Sequence, residues 1–210
     1  MTARSFWNDR VLPHLIERVC RSRDVRQRRE LLVPRAHGAV LEIGVGSWLN
    51  LPHYDASKVS RLVAIDPSPR LLDRARERVR VRELPTELVL APAEALPFEA
   101  AQFDSVVMTY TLCSVDDKRR SLAEIRRVLR PGGELLFLEH GLAPDPGVAV
   151  WQRRINPLWR KISGGCRLDG AVLDELGDAG FTVEEIVQGY GDGARWLSYL
   201  YRGVARRTAT

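Results

Sequence analysis

Val40-Leu41-Glu42-Ile43-Gly44-Val45-Gly46-Ser47-Trp48 decides the fold of this chain. A short apolar segment suited to a buried strand passes an acidic residue and enters two glycines spaced two apart, heading for Leu49-Asn50-Leu51. Glycines are needed where the backbone must approach a ligand closely, because a Cβ on either one would hold it away. An ordinary β-turn uses the same residues, so the second half of the signal matters. It is Leu62-Val63-Ala64-Ile65-Asp66, another apolar segment that ends in an acid 22 positions after Gly44. Two parallel strands placed side by side bring such an acid next to the glycine turn, where it can bind a ribose. The pair predicts a nucleoside site at Gly44, Gly46 and Asp66, with Pro67 following.

Glu42 separates cofactor classes. A dinucleotide brings a pyrophosphate to the turn, where a carboxylate is unwelcome. S-adenosylmethionine has no phosphate and carries a sulfonium and an ammonium, which suit Glu42. With its acid-x-Gly-x-Gly pattern the chain resembles the class I S-adenosylmethionine-dependent methyltransferases. Trp48 stands where their third glycine is usual, so the indole is expected either to turn away from the cofactor or to narrow its pocket.

That resemblance implies an α/β, Rossmann-like fold with a seven-stranded, mostly parallel sheet whose last strand is antiparallel. Ala93-Glu94-Ala95-Leu96-Pro97-Phe98 matches the loop that borders adenine in the family, with Pro92 in place of the usual acid. Ala93 and Glu94 are the expected contacts, a backbone amide near Ala93 serving adenine. Phe103 to Thr109 reads as the fourth strand, opening with the Phe-Asp pair typical of these enzymes, and its exit at Thr109 reaches the active end. Arg130-Pro131-Gly132-Gly133 stops a helix over residues 117–129 and turns into a fifth strand over 134–138, from which Glu139 and His140 emerge. The last strands are expected over 181–187 and roughly 196–205, joined by a loop.

Composition sets bounds. The 210 residues are 45% apolar and 28% charged, enough for one domain with a full core. The expected division is a helical lid over 1–35 and a Rossmann-like core over 36–210 with an insertion at 141–170. The net charge of +5, carried almost wholly by arginine, permits an acidic partner. Apolar residues at three- and four-residue steps from Ser5 to Val19 predict an amphipathic helix, followed by Arg21, Arg23, Arg26, Arg28 and Arg29. These arginines are either solvated or a basic face for peripheral membrane contact. No signal peptide and no apolar run near 20 residues is seen, so a cytoplasmic location is expected. Cys20, Cys113 and Cys166 are too scattered in sequence for a disulfide framework or a metal-binding CxxC pair, and no metal is expected.

A narrower resemblance rests on Thr111-Leu112-Cys113-Ser114-Val115, Glu139-His140, Trp151-Gln152, Pro157-x-Trp159 and Gly165-Cys166-x-Leu168. These look like the methyltransferase-like thiol S-methyltransferases of animals and their bacterial relatives. The resemblance implies methylation of a small, apolar thiol or sulfide. Such an acceptor must lose a proton, and His140 is the residue suited to take it. Cys113 and Cys166 either line a pocket or pack. Other readings are a quinone or phospholipid C- or N-methyltransferase, and a degenerate, non-catalytic member of the fold. Arsenite methylation is disfavoured for want of closely paired cysteines. A nucleic-acid substrate is disfavoured because no Asn/Asp-Pro-Pro-Tyr type motif or separate basic domain is present.

Overall fold

The computed structural model describes residues 22–79 and 84–208. The amphipathic segment expected over Ser5 to Val19 lies outside them. Seven strands form one sheet: β1 (Gly38–Ile43), β2 (Val59–Asp66), β3 (Thr86–Leu90), β4 (Phe103–Thr109), β5 (Leu129–His140), β6 (Phe181–Tyr190) and β7 (Tyr199–Arg207). Their order is β3-β2-β1-β4-β5-β7-β6. The pairs from β3 through β5 are parallel, and β7 runs antiparallel to both β5 and β6.

Alternation along the strands divides the core between the two faces of the sheet. Leu41, Ile43, Val63, Ile65, Val106, Met108, Leu135 and Phe137 belong to one cluster. It is covered by α3 (Lys118–Val128) through Leu122, Ile125 and Val128, and by α5 (Val172–Asp178) through Val172 and Leu176. Val40, Leu62, Ala64, Val107, Leu136 and Leu138 belong to the other. There α1 (Arg23–Leu32) contributes Leu32, and α2 (Pro69–Val79) contributes Leu72 and Ala75. Covering on both faces is why the central strands read as near-continuous apolar runs. α4 (Pro146–Ile162) lies in the expected insertion, and a helical turn α6 (Arg195–Ser198) precedes β7.

The chain between β1 and β2 makes a 3-10 turn at Leu51–His53. The ends of three strands differ from the sequence reading. β5 begins at Leu129, before Arg130-Pro131-Gly132-Gly133, because Leu129 pairs with Phe103 and the extra residues are taken up by a register shift. β6 runs to Tyr190, since Gly189 and Tyr190 pair with Leu200 and Tyr199, and β7 starts later than expected because residues 195–198 are helical.

From β1 the chain passes first to β2 on one side and later to β4 on the other. Open sheets leave a crevice at that reversal, outside the carboxyl ends of the strands.

Candidate active site

A cavity of about 540 Å³ occupies that crevice. Its walls come from the residues that follow β1, β2, β3 and β4, joined by Arg29 of α1 and by Ser163 and Gly164 after α4. Of the residues singled out in the sequence, Gly44, Gly46, Asp66, Pro67, Ala93, Glu94 and Thr109 line it, whereas Glu42 and His140 do not.

The glycines have different duties. Gly44 has φ +69°, and a Cβ there would meet Thr111 Oγ1 at 2.3 Å, so it lets the turn pack against β4's exit. Gly46 has φ +55°, and the nearest heavy atom to a Cβ there is 4.0 Å away, so its open side is left to the cavity. Trp48 also has φ +58°, a conformation that explains why glycine is usual at its position. Its indole is wholly buried on the face of the sheet covered by α1 and α2 and is not among the residues lining the cavity.

Glu42 receives that indole. Its Oε2 accepts from Trp48 Nε1 at 2.8 Å and from Tyr54 Oη at 2.7 Å, and its Oε1 accepts from Asn50 Nδ2 at 2.9 Å. Burial pushes the carboxyl up to about 7, while the Tyr54, Trp48 and Asn50 donors and the charge of Arg29 pull the other way. Glu42 thus stands behind the glycine turn with both oxygens engaged, away from where a cofactor ammonium was expected to meet it.

Arg29 was not foreseen as a site residue, because it is one of several arginines in a basic stretch. α1 buries it nonetheless. Its Nη1 donates to Asn50 Oδ1 at 2.6 Å and Thr109 Oγ1 at 3.2 Å, and its guanidinium lies 5.5 Å from the Tyr110 ring centre. Its buried Nε has no hydrogen-bond partner among the described residues. One guanidinium therefore joins α1, the glycine turn and β4 at the cavity wall.

Asp66 is buried at the end of β2. Oδ2 accepts from the Gly46 amide at 2.9 Å and Oδ1 from the Ser68 amide at 2.8 Å, and burial raises its pKa. Glu94 is tied down rather than free: Oε1 accepts from the Asp116 and Asp117 amides at 3.0 and 3.3 Å, which joins the loops after β3 and β4.

Beyond Thr109 the wall turns over to Tyr110, Thr111 and Ser114. Tyr110 has φ +56°, and its ring centre lies 5.0 Å from that of His140, which sits one layer behind it. His140 Nδ1 is 3.8 Å from Cys166 Sγ, and Cys166 Sγ is 3.5 Å from Cys113 Sγ. The cysteines, 53 residues apart in sequence, are thus neighbours, contrary to the expectation that they are unpaired. The Arg167 amide donates to Cys113 O at 2.8 Å, and buried Glu139 accepts from the Thr111 and Cys113 amides at 2.8 and 3.2 Å. Contact with the Cys166 sulfur, then burial, holds the Cys113 thiol well above the ordinary range. Leu168, Trp159 and Trp196 pack around the pair.

The methyltransferase domain family matches residues 41–137. The chain is 37% identical over 148 residues to the thiol S-methyltransferase TMT1B of Homo sapiens, a match covering 69% of this chain and 60% of that protein. It is 38% identical over 128 residues to a phosphatidylethanolamine N-methyltransferase of Cereibacter sphaeroides, covering 60% of this chain and 62% of the relative. The matched segments thus span about three-fifths of these relatives' lengths. Among solved structures, a S-adenosylmethionine-dependent methyltransferase from Methanosarcina mazei superposes with a TM-score of 0.67 at 20% identity, over 81% of this chain and 92% of its own. That likeness speaks for the fold alone. With the β3-β2-β1-β4-β5-β7-β6 sheet and the glycine crevice, these matches show that the chain belongs to the class I S-adenosylmethionine-dependent methyltransferases.

Proposed function

We propose that this chain transfers the methyl group of S-adenosylmethionine to a small, apolar thiol. The observation that carries the reading is a cavity whose two ends differ: Asp66 and the glycine turn at one, and a wall backed by Cys113, Cys166 and His140 at the other. The similarity to thiol S-methyltransferases supports the same choice of acceptor.

The residues present fit the cofactor. Gly46 leaves a cradle that a Cβ would enter, and Arg29 Nε is a buried donor with no acceptor among the described residues, suited to a ligand carboxylate. Each Asp66 oxygen has one protein donor in the described contacts, so its other lone pairs are available to ribose hydroxyls. Pro67 and the backbone at Ala93 border the base, with Glu94 fixing that loop. Thr109 holds Arg29 in place, and Glu42 acts from behind, setting Asn50 and Trp48. When bound, S-adenosylmethionine supplies an electrophilic methyl group on a sulfonium. The protein's work is then to align the acceptor in line and exclude water. Tyr110, Thr111 and Ser114 form the wall that does so, and the acceptor proton is lost at the His140 end.

The position of Arg29 supports a lid role for residues 22–35, the described part of the expected lid. Val150, Trp151, Leu158 and Ile162 are exposed along one side of α4, with Arg154 and Lys161 in the same sector. An exposed apolar sector interspersed with basic residues favours peripheral contact with a lipid surface, and so keeps phospholipid or quinone acceptors as a second reading. No helix among the described residues is long and apolar enough to cross a membrane.

The test presents methyl-labelled cofactor with an alkanethiol, with phosphatidylethanolamine vesicles and with a demethylated quinol. Label on the thiol alone supports the first reading; label only on lipid or quinol transfers the assignment to the second. His140→Ala should abolish most thiol turnover and spare cofactor affinity.

A further inference from the structure

Cys113, His140 and Cys166 come from three separate parts of the chain: the turn after β4, the end of β5 and the loop after α4. Their candidate ligand atoms nonetheless all lie within 4.8 Å of one another. In a tetrahedral zinc site, Zn–S bonds of about 2.3 Å and a Zn–N bond of about 2.05 Å set S···S and S···N edges near ~3.8 and ~3.6 Å. Two of the three edges here match, 3.5 Å for the two sulfurs and 3.8 Å from Cys166 Sγ to His140 Nδ1, and the third, from Cys113 Sγ to His140, lies within 4.8 Å. A side-chain shift of at most about 1 Å separates this arrangement from a coordination shell.

We infer that Cys113, Cys166 and His140 hold a zinc ion, and that its fourth position takes the acceptor thiol. The second half of this inference rests on the thiol reading above; the first does not. Two thiolates and an imidazole are a donor set that zinc favours, and three protein ligands with one open position are the pattern of catalytic rather than structural sites. Charge favours it too, since two thiolates neutralise the ion in a buried place. The ligands are already oriented: Glu139 fixes the Cys113 amide, and the Arg167 amide bonded to Cys113 O ties the Cys166 loop to it. Ser114, which lines the cavity, has Oγ 3.5 Å from Cys113 Sγ, and Tyr110, also in the wall, packs on His140. The cluster therefore adjoins the cavity at its acceptor end.

The ion answers how the acceptor is activated without a base in the cavity wall. On ligation each cysteine S–H bond breaks, a Zn–S bond forms, and the proton goes to solvent. An acceptor thiol entering the fourth position loses its proton in the same way and is held as a thiolate. Methyl transfer then breaks the cofactor's sulfonium C–S bond and makes a new S–CH3 bond on the acceptor, with no proton left to remove. His140 serves as a ligand through Nδ1, and the general-base duty expected of it passes to the ion.

The reduced, metal-stripped full chain is titrated with Zn²⁺ alone and with Co²⁺ alone. The expected result is one equivalent of either, with the cobalt form showing intense visible bands of a tetrahedral ion and a near-ultraviolet thiolate-to-cobalt band. Cys113→Ser and Cys166→Ser should each weaken zinc binding by roughly 100-fold or more. Both should retain S-adenosylmethionine binding, which reports that they fold. Failure of the reduced wild-type chain to bind stoichiometrically, or binding by both serine variants as tight as wild type, overturns the site. Addition of an alkanethiol should shift the cobalt bands; unchanged bands overturn the fourth-position role. Thiol methylation by a chain that binds no zinc removes the ion and leaves the thiol reading standing. Zinc binding without thiol methylation does the reverse.

Discussion

Replacing Glu42 by glutamine tests whether a buried acid behind the glycine turn is held near neutrality. The ordinary value of the carboxyl is 4.5 and burial pushes it to about 7, so over that window the folded chain keeps a proton that the unfolded chain has released. The sign follows: wild-type stability falls as pH rises from about 4.5 towards 7 and then levels off. The full difference is worth about 3 kcal/mol, of which about 2 to 3 kcal/mol falls between pH 5 and pH 8. Glu42→Gln has no proton to lose. The fixed cost of setting an amide among the Trp48, Tyr54 and Asn50 donors displaces its whole curve and cancels in the slope. Urea unfolding of both proteins across that range gives the difference directly, since every other titrating group is common to both. The wild-type advantage should shrink by that amount towards pH 8. Parallel curves would refute the reasoning and mean that the three donors and Arg29 keep Glu42 ionised throughout.

Other substitutions probe separate parts of the account. Asp66→Ala should weaken S-adenosylmethionine binding by ~1.5–3 kcal/mol in calorimetry, and unchanged affinity would remove its ribose role. Arg29→Lys keeps the charge but not the guanidinium fork, and should cost about 1–2 kcal/mol of cofactor affinity; no loss would deny it a part in the cavity. Trp48→Gly relieves a positive φ worth about 1 kcal/mol but empties a buried site worth ~3–5 kcal/mol. A lowered melting temperature is expected, and a raised one would show that the indole is strained in place.

The fold was legible because its signals are local and periodic. β4 was bounded to the residue by Phe103 and Thr109. The boundaries that moved were set by partners remote in sequence: Leu129 by Phe103, and Tyr190 by Tyr199. The same division runs through the site. Gly44, Gly46 and Asp66 could be read because strand and turn chemistry place them. Arg29 gave no local sign of burial among so many exposed arginines. Glu42 was given a ligand to face because nothing in the sequence showed that Trp48, Asn50 and Tyr54 would converge on it. Cys113 and Cys166 looked unpaired because sequence separation says little about which loops meet at the carboxyl end of a sheet.

The central claim is that sulfur receives the methyl group in this cavity. The most direct measurement is a single turnover, in which the full chain loaded with one equivalent of S-adenosylmethionine labelled on its methyl group is mixed with a small alkanethiol. The intact labelled methyl should appear in the methyl thioether as the cofactor is consumed. Cofactor that stays bound and unconsumed, with no thioether formed, would contradict it.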